Sequence, residues 1–154
     1  MFDAGSRNDH DMNKSSDNAG VRVLTAGVYD LLHIGHIELF RKARALGSHL
    51  TVAVQDSAEV ARFKPGASLV YSTEERCYMV RSIRYVDAVT VYHDVADIVR
   101  EVVDFDVFVK GPDQNHAGFA AAERYCLENG KRVVTLPRTE GISSSQLKEL
   151  IRNM

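Results

Sequence analysis

Apolar residues along the chain follow two alternating spacings once the first twenty residues are passed. Short runs rich in β-branched and aromatic residues predict five strands, at 21–26, 49–54, 86–92, 106–110 and 132–136. Between these runs apolar residues recur three and four positions apart, which predicts helices at 37–46, 72–83, 94–103, 119–128 and 143–152. Strands that alternate with helices are typical of βαβ units.

Start and stop signals support these helices. Ser72 is followed by Glu75 and Ser143 by Gln146, three residues later in both cases, and this spacing favours a capping box at a helix N-terminus. Gly47 follows the first predicted helix, where glycine commonly ends a helix. Each signal falls at a boundary that the hydrophobic spacing predicts independently.

The order of the elements predicts the fold. Because βαβ units have right-handed crossovers, they build a parallel sheet with helices on both faces. We therefore expect an α/β fold, a single Rossmann-like doubly wound domain with a five-stranded parallel sheet. Ligands of such sheets bind beyond the carboxyl ends of the strands, where the strand order reverses. The residues directly after the strands are the candidates for chemistry.

Composition narrows the class of protein. A length of 154 residues predicts one domain, and the polar segment 1–20 predicts a disordered tail before a folded domain at 21–154. Two cysteines cannot form a disulfide framework, which favours a reducing, cytoplasmic location. A net charge of −2 argues against nucleic acid as a partner, and the lack of a long apolar run argues against a membrane.

The junction after the first predicted strand carries two histidines. His33 and His36 lie on one side of a helix start, and Gly35 between them leaves room for a close approach of backbone or ligand. The helix N-terminus adds free N–H groups and partial positive charge. These features predict an anion site suited to charge on phosphorus. Two alternatives stay open: histidines that only cap or pack the helix, and a zinc site, which would need further ligands.

The junction after the last predicted strand places three serines at a helix start. Ser143, Ser144 and Ser145 offer hydroxyls beside unpaired backbone N–H groups, an arrangement that binds phosphate oxygens. Arg138 adds a permanently charged donor fork that can bridge phosphates. Plain capping by Ser143 is the alternative, and it is compatible with phosphate binding because capping needs only one serine.

Both junctions resemble the signatures of a known family. His33-Ile-Gly-His36 is similar to the HxGH motif of the nucleotidylyltransferase superfamily. Residues 138–144, Arg-Thr-Glu-Gly-Ile-Ser-Ser, resemble the RTEGIS motif of its cytidylyltransferase branch. Residues 74–76 and 83–87 are similar to the E-x-R and IRYVD segments of that branch, so the resemblance covers about residues 21–152.

The resemblance implies a reaction in which an acceptor phosphate attacks the α-phosphorus of CTP and expels pyrophosphate. The implied acceptor is a small phosphorylated or phosphonate alcohol such as glycerol 3-phosphate, and the product is a CDP-alcohol. Catalytic roles are implied for His33, His36, Lys64 and Arg138. The resemblance also implies Mg²⁺ carried by the triphosphate, with no protein metal ligands, and a homodimer with residues 85–87 at the subunit contact.

Further residues are assigned to binding by the same resemblance. Those implied at the nucleotide are Val28, Tyr29, Asp30, Arg84, Asp113, Thr139, Gly141, Ile142, Ser143, Ser144 and Ser145. Those implied at the substrate are Arg62, Arg76 and Lys110. For Arg76 and Arg84, an ordinary solvated or ion-paired arginine is the alternative.

The acceptor is where the chain departs from the family pattern. The helix after the IRYVD-like segment, at 94–100, contains no lysine, and the family's G-D-D-W sequence is Gly-Pro-Asp-Gln at 111–114. The missing aromatic residue removes a face for a choline-like cation. Two other functions stay open: an ATP-dependent adenylyltransferase acting on a sugar phosphate or similar acceptor, and a non-catalytic nucleotide-binding regulator. The Arg-Thr-Glu-Gly sequence favours CTP, and the retained histidines favour catalysis.

Overall fold

Five parallel strands form one sheet in the structure, a computed structural model that describes residues 18–101 and 104–154. The strands are β1 (Arg22–Gly27), β2 (His49–Gln55), β3 (Ala88–Tyr92), β4 (Val107–Lys110) and β5 (Arg132–Thr135), in the spatial order β3-β2-β1-β4-β5. The chain runs outward from β1 to β3 and then crosses back to β4, so the strand order reverses beside β1. The predicted doubly wound parallel sheet is confirmed.

Helices connect the strands. Within the described residues they are α1 (Ile34–Arg44), α2 (Ser57–Phe63), α3 (Thr73–Arg81), α4 (Val95–Glu101), α5 (Ala117–Glu128) and α6 (Ser144–Arg152). The sequence did not predict α2, which has seven residues with only Val60 buried and is capped by the Asp56 carboxylate. The end of the predicted helix 94–103 lies outside the described residues. No helix in the described ranges is long and apolar enough to cross a membrane.

The two faces of the sheet build two halves of the core, because successive residues of a strand point to opposite sides. On one face Leu24 and Phe108 belong to a buried cluster with α4 and α5. On the other face Val23 belongs to a cluster with Phe40 of α1 and Val80 of α3. Because both faces are covered, β1, β2 and β4 are almost continuously buried.

Most predicted boundaries shift by one to three residues, and two of the shifts have a clear structural cause. Residues 18–20, expected in the tail, form a turn in which Asn18 Nδ2 donates to Ala45 O (3.2 Å) and Gly20 N donates to Ser48 Oγ (3.0 Å). The rest of the predicted tail, 1–17, lies outside the described residues. Strand β3 begins two residues later than predicted, after Asp87, whose carboxylate accepts a backbone N–H of β2 at 2.8 Å and so replaces a ladder carbonyl.

Candidate functional site

A cavity of about 570 Å³ opens at the carboxyl edge of the sheet, beside β1. Its walls come from the segments after β1, after α2, after β4 and after β5. This is the place that the reversal of strand order predicts for a ligand. The cavity brings together most of the predicted site residues: Val28, Tyr29, Asp30, His33, His36, Lys64, Asp113, Arg138, Thr139, Ile142, Ser143, Ser144 and Ser145.

His33 is the N-cap residue of α1, and its imidazole acts where serine or aspartate is common. Its Nδ1 accepts the N–H of Gly35 (3.0 Å), and Nδ1 of His36 accepts the N–H of His33 (3.3 Å). In a neutral imidazole the nitrogen that accepts a hydrogen bond carries no proton, so the proton of each ring lies on Nε2. Both histidines therefore offer an Nε2–H donor on the side of the ring opposite the capping bond.

The surroundings keep both imidazoles neutral. The two rings stack with centroids 3.9 Å apart, and Tyr29 meets His36 edge-on at 5.6 Å. Burial, and then the neighbouring His33, lower the pKa of His36 to about 4. Burial, and then the charge of Arg138, lower the pKa of His33. At neutral pH the pair adds hydrogen-bond donors to the cavity without adding formal charge.

Gly35 is required by the shape of the histidine pair. A Cβ atom at this position would lie 2.7 Å from Cε1 and 2.9 Å from Nδ1 of the His33 ring. Real Cβ atoms do not approach other atoms so closely, so a side chain here would displace the ring. The glycine of the His-x-Gly-His sequence thus permits the capping geometry of His33.

The loop before the histidines holds two residues in an uncommon conformation. Tyr29 has φ 57° and Leu31 has φ 48°, in the left-handed region that bulky side chains rarely adopt. The Tyr29 ring lies over Gly27, where a Cβ atom would come within 2.8 Å of the ring. Backbone strain of this kind costs energy and is common at ligand-binding sites.

Asp30, between these two residues, ties the loop to other elements. Its buried carboxylate accepts the N–H of Val70 (2.9 Å) and of Tyr71 (3.1 Å) and pairs with Lys148 of α6 (3.1 Å). Burial alone would raise the pKa of the carboxyl, but the two amides and the ammonium outweigh burial and hold the pKa below its ordinary value. Asp30 is therefore an ionised anchor inside the wall of the cavity.

The three serines at the start of α6 have different environments. Ser143 is the N-cap, and its hydroxyl accepts the N–H of Gln146 (3.1 Å), as the capping interpretation predicted. The Ser144 hydroxyl donates to the carbonyl of Asp30 (2.8 Å), which joins α6 to the loop before the histidines. Ser145 is exposed at the cavity. Capping thus occupies one serine.

Arg138 and Asp113 face each other from two different loops of the cavity. The guanidinium Nε lies 2.7 Å from the carboxylate, and the side chains are 67% and 62% exposed. A pair so exposed to water is weak, so little free energy holds the guanidinium on its partner. Beside this pair, Gln114 connects the loop after β4 to β1, because its Nε2 donates to Ala26 O (2.9 Å).

Charge and helix orientation suit the cavity to a polyanion. The N-termini of α1 and α6 both open onto it, so the partial positive charge of each helix start faces the cavity. The described lining residues include four cations and two carboxylates: Lys64, Arg138, Lys148 and Arg152, with Asp30 and Asp113. Both carboxylates are already paired, which leaves net positive charge for a ligand.

A model of the cytidylyltransferase-like family matches residues 24–150, most of the chain. The chain belongs to the cytidylyltransferase-like family. It is 43% identical over 131 residues to the glycerol-3-phosphate cytidylyltransferase of Staphylococcus aureus, covering 83% of this chain and 92% of the relative. It is 36% identical over 135 residues to the enzyme of the same name from Bacillus subtilis, covering 86% and 98%.

Solved structures agree with the fold of this cytidylyltransferase-like protein. The lipopolysaccharide core biosynthesis protein of Thermoplasma volcanium superposes with a TM-score of 0.63 at 27% identity, covering 77% of this chain and 96% of that one. A protein of unknown function from Archaeoglobus fulgidus superposes with a TM-score of 0.59 at 22% identity, covering 80% and 93%. The second likeness concerns the fold alone.

In this cytidylyltransferase-like protein Arg76 is a core residue and does not line the cavity. Its side chain is 0% exposed and donates to the carbonyls of Val28 (2.8 Å), Gln55 (2.9 Å) and Tyr71 (3.3 Å) and to the hydroxyl of Ser57 (2.8 Å). Because protein acceptors occupy its donors, the predicted contact with substrate does not fit this position. Arg76 instead fixes the loops that form the cavity.

Other predicted site residues also lie away from the cavity. Lys110 is 7% exposed, and its ammonium turns to α5, where it pairs with Glu123 (2.8 Å). Arg62 is exposed and lies 3.6 Å from Glu59 on the same helix. Arg84 and Gly141 are exposed and do not line the cavity. The cavity does not include the three cations Arg62, Arg84 and Lys110, and sequence does not show which side of an element a long side chain follows.

Four polar residues of the cavity wall are absent from the sequence-based predictions: Ser68, Gln114, Lys148 and Arg152. Lys148 and Arg152 follow Ser144 at intervals of four, so they share one face of α6. That spacing is a signal that could have found them once Ser144 was assigned to the cavity. Gln114 had no comparable signal.

Proposed function

We propose that this protein transfers the cytidylyl group of CTP to the phosphate of a small phosphorylated alcohol such as glycerol 3-phosphate, giving a CDP-alcohol and pyrophosphate. One observation carries the proposal: the histidines at the start of α1 and the serines and Arg138 before α6 line a single cavity. The identities of 43% and 36% to two glycerol-3-phosphate cytidylyltransferases, over nearly their whole length, support the same conclusion.

The chemical step is an in-line displacement at phosphorus. An oxygen of the acceptor phosphate forms a bond to the α-phosphorus of CTP, and the bond from that phosphorus to the bridging oxygen of the β-phosphate breaks. Negative charge builds on the non-bridging oxygens of the α-phosphate and on the leaving pyrophosphate. The Nε2–H groups of His33 and His36 donate to the α-phosphate oxygens and stabilise that charge without transferring a proton.

The leaving group requires positive charge at the other end of the cavity. The N–H groups at the start of α6, the hydroxyls of Ser143 and Ser145 and the guanidinium of Arg138 bind the β- and γ-phosphates. Arg138 can leave Asp113 for phosphate because their ion pair is exposed and weak. Lys64, on the loop after α2, also lines the cavity and supplies a further positive charge to the triphosphate.

Mg²⁺ fits this cavity as a companion of the triphosphate. In the described part of the chain, no three His, Cys, Asp or Glu side chains gather as a metal site. Asp113 is the exposed carboxylate at the cavity and offers one ligand at most. Mg²⁺ commonly keeps waters and substrate phosphates as ligands, so the absence of a cage among these residues is compatible with it. When bound, the ion neutralises charge on the phosphates.

An anionic acceptor suits the cavity better than a quaternary ammonium. Apart from histidine, Tyr29 is the aromatic residue among the described lining residues, and its ring is buried against His36 and Phe40. A choline-like cation would therefore find no open aromatic face. The excess of cations over carboxylates among the described lining residues favours the phosphate or phosphonate group of an acceptor.

A nucleotide and acceptor matrix tests the proposal. The protein is incubated with Mg²⁺, CTP or ATP, and glycerol 3-phosphate, choline phosphate, ethanolamine phosphate, a phosphonate alcohol or a sugar phosphate, and pyrophosphate release is measured. We expect release with CTP and glycerol 3-phosphate or another small anionic alcohol. Release with ATP alone would support the adenylyltransferase, and tight CTP binding without release with any acceptor would support the regulator.

We also propose a cytoplasmic homodimer. Strand β3 is an edge of the sheet, and near this edge Val91 is 42% exposed, while Tyr78 of α3 is 71% exposed. Residues 85–87, predicted at the contact, precede this strand. The two free, buried cysteines suit a reducing compartment. Light scattering on the purified protein tests the dimer, and a Tyr78→Glu and Val91→Glu double variant should shift the mass to that of one chain.

A further inference from the structure

Lys148 contacts two walls of the cavity at once. It lies on α6, and its ammonium is 3.1 Å from Asp30 Oδ2 and 2.9 Å from the carbonyl oxygen of Ser68. The side chain is only 27% exposed, and its partner Asp30 is 5% exposed. A partly buried ion pair is screened less by water than a surface pair. The pair of Lys148 and Asp30 therefore contributes more stabilising free energy than the exposed pair of Arg138 and Asp113.

Helix α6 depends on such polar contacts for its position. None of the residues 144–152 is buried, and Leu150 and Ile151 are 64% and 60% exposed. The helix is joined to the loop before the histidines through the Ser144 hydroxyl on the carbonyl of Asp30 (2.8 Å). Lys148, one turn later, reaches the carboxylate of the same residue. Asp30 therefore holds α6 at two points.

The segment after α2 depends on the same residue. Its exposed stretch, 61–68, carries Lys64 at the cavity. Beyond this stretch the N–H groups of Val70 and Tyr71 bind the Asp30 carboxylate, and within it the carbonyl of Ser68 binds Lys148. The segment that presents Lys64 and the helix that presents the serines thus meet at one ion pair.

We propose that Lys148 is a positioning residue that clasps the 64–72 segment and α6 together on Asp30, so that both walls are set before the triphosphate of CTP binds. The consequence for catalysis rests on the proposed function. If the clasp is absent, the binding of CTP must order both walls, and this cost lowers affinity for the nucleotide. The histidines keep their own capping bonds, so the chemical step is little affected.

A direct contact between Lys148 and a phosphate is the competing role, because the residue lines the cavity. The two roles differ in the protein without nucleotide. A clasp protects the 64–72 segment in the free protein, whereas a phosphate ligand acts only after CTP binds. Amide hydrogen exchange of the free protein therefore separates them.

The test uses Lys148→Met, Lys148→Arg and, as the matched control, Lys42→Met, which removes a lysine charge from α1 outside the cavity. In Lys148→Met we expect the 64–72 amides to exchange about tenfold faster than in the wild type, with the thermal midpoint confirming a folded chain. We expect KM for CTP to rise about tenfold and kcat to change less than about threefold. Lys148→Arg should restore most of the amide protection and most of the affinity expressed in KM for CTP. Lys42→Met should match the wild type in both quantities.

Two results for Lys148→Met would overturn the clasp. A raised KM for CTP with unchanged amide exchange would indicate that Lys148 binds a phosphate of CTP directly. No change in either quantity would show that Lys148 has neither role. The exchange measurement needs no substrate, so it decides on the clasp even if the wild type transfers no cytidylyl group. That failure of turnover would instead count against the proposed function alone.

Discussion

The backbone nitrogen of His33 lies 3.3 Å from Nδ1 of His36, so the second histidine caps the same helix turn that the first one begins. The capping and packing interpretation of the histidine pair is thus correct for Nδ1. Because capping uses Nδ1 of each ring, Nε2 of each ring stays available to a ligand in the cavity. One residue type serves both roles because imidazole has a nitrogen on each side of the ring.

Substitutions of His33 should separate these roles. Asparagine can keep the capping acceptor but has no counterpart of Nε2–H, whereas alanine loses both. We expect His33→Asn and His33→Ala both to lower kcat by roughly 10²–10³-fold, the usual effect of losing one preorganised oxyanion donor. His33→Ala should also lose about 1 kcal/mol of unfolding free energy, while His33→Asn stays near the wild type.

Steady-state kinetics and urea unfolding of the two variants measure these effects. Affinity for CTP should change much less than kcat, because the donors act mainly on charge that develops in the transition state. A variant that lost CTP affinity with kcat intact would contradict the role assigned to His33.

Acid should destabilise the fold through His36. Its pKa is about 4 in the folded protein and 6.5 without perturbation, so the fold favours the neutral ring. The stabilisation is complete above pH 6.5 and is lost as the pH falls toward 4, by about 3 kcal/mol in total. The lowered pKa of His33 acts in the same direction.

Urea unfolding between pH 7 and pH 4 measures this loss. A His36→Asn variant cannot titrate at this position, so its unfolding free energy should fall less steeply over the same range. Parallel curves for the two proteins would show that His36 is not the titrating group. NMR titration of the imidazole C–H signals gives the pKa directly.

Gly35→Ala should lower activity more than stability. The new methyl group would collide with the His33 ring, which must turn away from its capping position. We expect kcat to fall by about 100-fold, the cost of moving a catalytic group by about 1 Å. Kinetics and thermal unfolding, measured together, test this. Normal kcat in a stable Gly35→Ala protein would show that the ring position is unimportant.

Arg76→Lys should destabilise the protein, although charge is conserved. An ammonium cannot reach the carbonyls and hydroxyl that the planar guanidinium binds, and buried acceptors would lose their donor. We expect a loss of about 3 kcal/mol or more in urea unfolding. The exposed Arg62→Lys serves as control and should change by less than about 0.5 kcal/mol. A stable Arg76→Lys protein with a raised KM for the acceptor would instead support a direct contact between Arg76 and the substrate.

The sequence predicted what depends on local spacing. Strand runs, helix periods and the caps at Ser72 and Ser143 were correct because each follows from residues within a few positions of one another. Helix α2 was missed because seven residues with one buried position leave no clear period. The position of the cavity followed from the alternation of strands and helices alone.

The burial of cations could not be predicted in this way. Arginine and lysine are rarely buried in proteins, and only the tertiary acceptors of Arg76 and Lys110 explain why they are 0% and 7% exposed. Lys148 and Asp30 are far apart in the chain and are brought together by the tertiary structure. Contacts of this kind depend on the whole fold.

Tyr71 is held from both sides, its N–H by Asp30 and its carbonyl by Arg76, and the other end of the segment is held where Lys64 N–H binds the carbonyl of Val60 (2.9 Å). The exposed stretch 65–67 between these anchors can change in length or composition without moving the histidines. Natural variation there would reshape the cavity wall, which includes Gly66 and Ala67, while the two histidines keep their own capping bonds. Evolution on this scaffold can thus exchange substrates without rebuilding the chemistry.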